Sequence, residues 1–121
     1  MLKWDPPLDG CVKLNCDAAV SASIKGVGVV IRNSSASPII AFSALEIFND
    51  VLRGEALVVR VGLQSALEAG LSNILVEPDS SKLVTLLNNS TLHPPVEVAC
   101  IIHDIRIFDF LPKCNFLEVD F

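Results

Sequence analysis

Tyrosine is absent from this chain, methionine and tryptophan occur once each, and charged residues make up only 19%. The aromatic residues Trp4, Phe42, Phe48, Phe108, Phe110, Phe116 and Phe121 are spread along the sequence. Rings so dispersed offer no platform for stacking single-stranded bases, and core packing is their expected use. Positive charge is scarce: 9 Lys and Arg stand against 14 Asp and Glu, for a net charge of −5. Proteins that grip a duplex usually carry an excess of Lys and Arg to displace counterions from phosphates. Nucleic-acid binding here must therefore lean on metal ions, a local basic patch or a partner. No apolar run approaches the roughly 20 residues that span a bilayer, and residues 1–7, MLKWDPP, lack the apolar core of a signal peptide. The expectation is an intracellular protein, nuclear or cytoplasmic, neither secreted nor membrane-bound, with the sequons at Asn33, Asn88 and Asn89 unglycosylated. Cys11, Cys16, Cys100 and Cys114 form no CxxC pair and have no His at ligand spacing, so reduced thiols are expected. Gly26-x-Gly28 is too short for a dinucleotide fingerprint, and no Ser-His-Asp order with an elbow motif occurs. His93 and His103 stand alone and read as surface or satisfied histidines, with a proton shuttle as the minority reading.

What is abundant is apolar surface. At 51% hydrophobic over 121 residues, the chain reads as one globular domain spanning 1–121, and as a monomer. Two prolines and Leu8-Asp9-Gly10 give an extended lead-in and a turn. From Cys11 to Ala19 the pattern alternates, with Val12, Leu14, Cys16 and Ala18 on one side and Lys13, Asn15 and Asp17 on the other, which predicts a strand. Lys25-Gly26 reads as a turn, followed by strands over Val27–Arg32 and Pro38–Leu45 around a small-polar turn at 33–37. Three strands with short connections predict an antiparallel meander. The period then becomes helical from Val51 to Ala69, with Gly70 as the stop. A short buried strand over 73–77 precedes a helix opened by Asp79-Ser80-Ser81 and running to about Asn89. A loop over Thr91–Pro95, a helix from Val96 to about Phe110 and a last strand over Asn115–Phe121 complete the order β-β-β-α-β-α-α-β. Such an order predicts an α/β fold, a mixed sheet with helices on its faces.

Three acids stand where acids are costly. Asp17 lies within a strand, although Asp is depleted from strands; a bulge or an edge position is the alternative reading. Glu55 shares its helical stripe with Leu52, Val59, Gly62 and Ala66, all within about 60° at the helical repeat, while Arg53, Arg60 and Gln64 occupy the other side. A carboxylate on the core-facing stripe needs a metal, a donor or a wet cleft; the alternative is a partly exposed first-turn Glu favoured by the helix dipole. Asp79 stands between strand and helix, as an N-cap or as a ligand at the carboxyl end of a strand, where α/β sheets place their sites. Three such carboxylates, if brought close, would repel one another without a cation, and a pair of Mg²⁺ ions would relieve that. Lys13, Asn15 and Asn33 are candidates to touch phosphate or 2′-hydroxyl groups; solvated strand and turn positions are the alternative.

Several stretches carry a family resemblance: residues 4–10 (WDPPLDG), 12–19 (VKLNCDAA), 26–33 (GVGVVIRN), 54–57 (GEAL), 62–66 (GLQSA) and 74–80 (ILVEPDS). In one order over nearly the whole chain, they resemble the type 1 ribonuclease H-like domain of plant proteins, often linked to reverse-transcriptase and retrotransposon elements. The resemblance implies a five-stranded sheet in the order 3-2-1-4-5. It implies that Asp17, Glu55 and Asp79 are the first three members of an acidic set holding two Mg²⁺ (or Mn²⁺) ions. It implies endonucleolytic hydrolysis of the RNA strand of an RNA–DNA hybrid, and nucleic acid as the partner. The family has Asp-Gly where this chain has Asp17-Ala18, and Gly near Ala36. Its last motif, an Asn followed by Ala-Asp or Ala-His opening a final helix, has no counterpart before Phe121, nor has the basic helical handle of the bacterial enzymes. The expectation is thus a domain incomplete at its C-terminus, lacking the terminal helix and the fourth carboxylate. The alternative function is a catalytically impaired nucleic-acid-binding or interaction domain of the same fold.

Overall fold

The structure, a computed structural model, describes residues 6–20, 25–45, 51–89, 91–107 and 114–116. The observed order is β1 (Val12–Val20), β2 (Lys25–Arg32), β3 (Pro38–Leu45), α1 (Val51–Glu68), β4 (Ile74–Pro78), α2 (Ser81–Asn88), α3 (Val96–Ile107) and β5 (Cys114–Phe116). The five strands form one sheet in the order β3-β2-β1-β4-β5, as expected. β1, β2 and β3 pair antiparallel, and β4 joins β1 and β5 in parallel.

Alternation along β1 sends Leu14 and Cys16 into the core beside Val29 and Ile31 of β2, their register partners. α1 closes over this face through Val59, Leu63 and Ala66, all fully buried. The approach is close because of Gly62: a Cβ there would lie 3.1 and 3.2 Å from the Leu14 methyls and 3.4 Å from Val29 Cγ1. α3 lies against α1. The Arg53 guanidinium donates to the Glu97 carbonyl, and Arg60 Nη1 meets Asp104 Oδ2 at 3.0 Å. Arg106 Nη2 donates to the Leu86 carbonyl at 2.6 Å, so a cation from α3 satisfies a carbonyl in the last turn of α2. Among the described residues, no helix is long and apolar enough to cross a membrane, and Cys11, Cys16 and Cys100 are free thiols.

One expected turn is in fact strand. Lys25 and Gly26 open β2, paired with Val20 and Ala19. The local preference of Lys-Gly for a turn yields to the long-range antiparallel ladder, which satisfies backbone groups the turn would leave open. The end of the third helix beyond Ile107, the last strand beyond Phe116, and Trp4, Phe48, Phe108, Phe110 and Phe121 lie outside the described residues.

Candidate active site

The parallel ladder between β1 and β4 ends at Asn15↔Glu77 and Cys16↔Pro78. Asp17 follows on β1, which continues to Val20, and Asp79 is the first residue beyond β4. The topology thus sets positions 17 and 79 next to each other where the ladder between the two central strands ends. On its other side Asp17 pairs with Gly28 of β2, where an added Cβ would find nothing within 4 Å. The sheet is therefore open at Gly28, where the partner of position 17 lacks a side chain. The Asp17 side chain itself is outside the described part of the structure.

Glu55 approaches the same end from α1. The five residues between α1 and β4 bring the helix C-terminus back to the start of β4, where the Asn73 carbonyl accepts from Val12 N at 3.1 Å. α1 thus runs opposite to β1. Gly62 marks the crossing point over Leu14. Glu55 is seven residues before Gly62, about 10 Å along the helix, and position 17 is three residues beyond Leu14, about 10 Å along the strand. Glu55 therefore lies on the part of α1 that extends from this crossing in the direction in which β1 runs. It is only 3% exposed, whereas Arg53 and Gln64 of the same helix are exposed. The first-turn solvent-facing alternative for Glu55 is therefore excluded.

Asp79 is exposed and lies in the bend between β4 and α2. It is not the helix cap. That position belongs to Ser80, whose φ of −100° and ψ of 115° are extended and whose Oγ accepts from Leu83 N at 3.1 Å. With the cap supplied next door, the N-cap alternative for Asp79 falls away and its carboxylate is not consumed by the helix. Among the described residues, no three His, Cys, Asp or Glu side chains gather as a metal cluster; the Asp17 side chain is not in that set.

The three candidate substrate contacts sit differently. Asn15 lines an open groove of about 530 Å³ on the sheet, together with Cys16, Gly28, Arg32, Phe42 and Ser43. Lys13 is 6% exposed and its Nζ lies 2.7 Å from Glu77 Oε1, so its ammonium faces a carboxylate inside the protein. Asn33 holds the β2–β3 turn: its Oδ1 accepts from Ser35 N and Ser37 N, both at 3.0 Å. It lies five residues along β2 from Gly28, about 16 Å from the acidic end. Of the three, only Asn15 both lines the groove and lies beside the carboxylate positions. The groove and the Lys13–Glu77 pair were not anticipated. Both depend on which residues the ladders bring abreast, and a single sequence carries no register between distant strands.

This arrangement, a five-stranded 3-2-1-4-5 sheet with carboxylate positions within β1, just beyond β4 and in the helix between β3 and β4, is the ribonuclease H fold. Among solved structures, ribonuclease H1 from Halobacterium salinarum superposes with a TM-score of 0.80 at 14% identity, over 90% of this chain and 85% of that one. LC11 ribonuclease H1, solved in complex with an RNA/DNA hybrid, gives 0.78 at 14% identity, over 89% and 84%. The prototype foamy virus protease–reverse transcriptase gives 0.66 at 15% identity, over 89% of this chain and 17% of that one. Likeness at these identities is likeness of fold. A search of curated proteins by sequence returned no match. The profile of the family described as "Reverse transcriptase-like" matches residues 15–116, and the chain belongs to that family.

Proposed function

We propose that this domain binds RNA–DNA hybrids and hydrolyses the RNA strand with Mg²⁺ or Mn²⁺ held by Asp17, Glu55 and Asp79. The single observation that carries the reading is Glu55: a carboxylate 3% exposed on the core-facing stripe of α1. An acid costs several kcal/mol in such a place unless something compensates it, and hard oxygen donors of this kind suit Mg²⁺ or Mn²⁺. Bound ions would supply an activated water and stabilise the leaving oxygen. Asp17 and Glu55 would hold one ion, and Asp17 would contribute to the second. Asp79, exposed at the bend, would orient the attacking water from the solvent side. Asn15 would contact the strand lying along the groove, and recognition would come from duplex shape and 2′-hydroxyl groups. The excess of acids, net −5, favours a second reading, in which the domain binds nucleic acid or a partner without useful turnover.

A labelled RNA–DNA hybrid incubated with the protein and Mg²⁺ or Mn²⁺ tests the proposal. The RNA strand is expected to be cut, and Asp17→Asn should slow cutting by about 100-fold or more. Equal cutting by that variant would assign the activity to a contaminant. Binding of the hybrid without cutting would select the second reading.

A further inference from the structure

We propose that the buried Lys13–Glu77 pair sets the cation affinity of the acidic end of the sheet; the inference rests on the metal-site reading above. The pair lies on β1 and β4, the two central strands that lead to Asp17 and Asp79. Its side chains are 8% and 14% exposed, with Nζ and Oε1 2.7 Å apart. Glu77 is the last residue but one of β4 and precedes Asp79 by two residues, a chain span of at most about 7 Å. Glu77 is therefore a further carboxylate within electrostatic reach of the candidate site, and Lys13, four residues before Asp17, is its countercharge. A buried ion pair is weak evidence of a stabilising role, because an apolar pair of similar volume often serves a core as well or better.

The arrangement has a direction. The carboxylate lies toward the acidic end and the ammonium away from it, so the pair presents the negative end of a dipole to the site. A unit charge about 7 Å from a divalent ion changes its affinity about 7-fold even with the full screening of water. Removing either partner should therefore move cation affinity, and in opposite senses. Lys13→Met removes the more distant positive charge, about 13 Å back along β1, and should tighten Mg²⁺ binding about 3-fold. Glu77→Gln removes the nearer negative charge and should weaken it about 5-fold. The double variant Lys13→Met/Glu77→Leu should return to within about 2-fold of the parent.

The test is titration of the whole chain with MgCl₂ alone, followed by calorimetry and by the rise in Tm. Opposed shifts of the two single variants support the proposal. Midpoints that stay within 2-fold while Tm falls, or that move in the same sense, overturn it and make the pair a structural clamp. If Lys13→Met does not fold, Glu77→Gln is compared with the double variant: weaker Mg²⁺ binding in Glu77→Gln supports the proposal, and equal binding overturns it. A parent protein that does not respond to Mg²⁺ overturns the metal-site reading itself, an outcome distinct from a parent that responds while its variants do not diverge.

Discussion

The two ends of the sheet are built from different chemistry. At the end where β1 and β4 begin, polar groups are spent on closing turns. Cys11 N donates to the Leu8 carbonyl, Asn33 Oδ1 accepts two backbone amides, and Leu71 N returns to the Ala66 carbonyl. Every described residue with positive φ lies in this group of turns: Gly10, Ala36, Gly70 and Asn73. At the other end, position 17 faces a glycine, Asp79 is released from capping by Ser80, and Glu55 is buried. The first end is where the chain satisfies its own backbone. The second gathers acidic positions, one of them buried and one released from capping, and such a concentration of acids is the mark of a candidate site.

Four substitutions sharpen or break this contrast. The largest effect is expected from Gly62→Val. Its side chain has to enter the 3.1 Å gap to Leu14, and overpacking of this kind costs about 2 kcal/mol, or about 8 °C in Tm. Lifting α1 also moves Glu55, so the Mg²⁺-dependent rise in Tm should shrink. Thermal melts with and without MgCl₂ measure both, and an unchanged Mg²⁺ response would detach Glu55 from the site. Glu55→Gln has the opposite sign. Without metal it should raise Tm by about 4 °C, since it removes about 1 kcal/mol of like-charge repulsion and burial cost, while the Mg²⁺ response disappears. A fall in Tm would mean that the carboxylate serves the fold.

Ser80→Ala should cost about 1 kcal/mol through loss of the bond to Leu83 N. Urea denaturation reads this directly, and no loss would mean that Asp79 can take over the cap, returning it to local structure. The smallest effect belongs to the opposite end of the sheet. Ala36 has φ of 62°, a conformation costly for an L-residue with a Cβ. Ala36→Gly should stabilise the protein by about 0.5 kcal/mol, after offsetting the added freedom of the unfolded chain, and leave hybrid cleavage unchanged. A change in cleavage would tie the two ends together.

Much of the fold was legible because short-range patterns carried it. The strand read over Cys11–Ala19 and the helical stripe of Leu52, Glu55, Val59, Gly62 and Ala66 are found as a strand and a core-facing helix. Ala36, marked as a departure from the family's glycine, is found in the left-handed region that a glycine would suit. Lys25-Gly26 misled because a distant strand claimed it. Lys13 and Asn33 were read by residue type alone, which cannot reveal that an ammonium has a buried carboxylate beside it or that an amide holds its own turn.

The sequence by itself determined the order of elements, the buried stripe of α1 and the choice of three candidate acids, because periodicity and residue chemistry are local properties of a chain. Only the tertiary structure decided that Glu77 comes abreast of Asn15, that Gly28 pairs with position 17 and that α1 packs close on Leu14 at Gly62. Register and interlayer distance arise from contacts between residues far apart in sequence, where each partner's position depends on all the others.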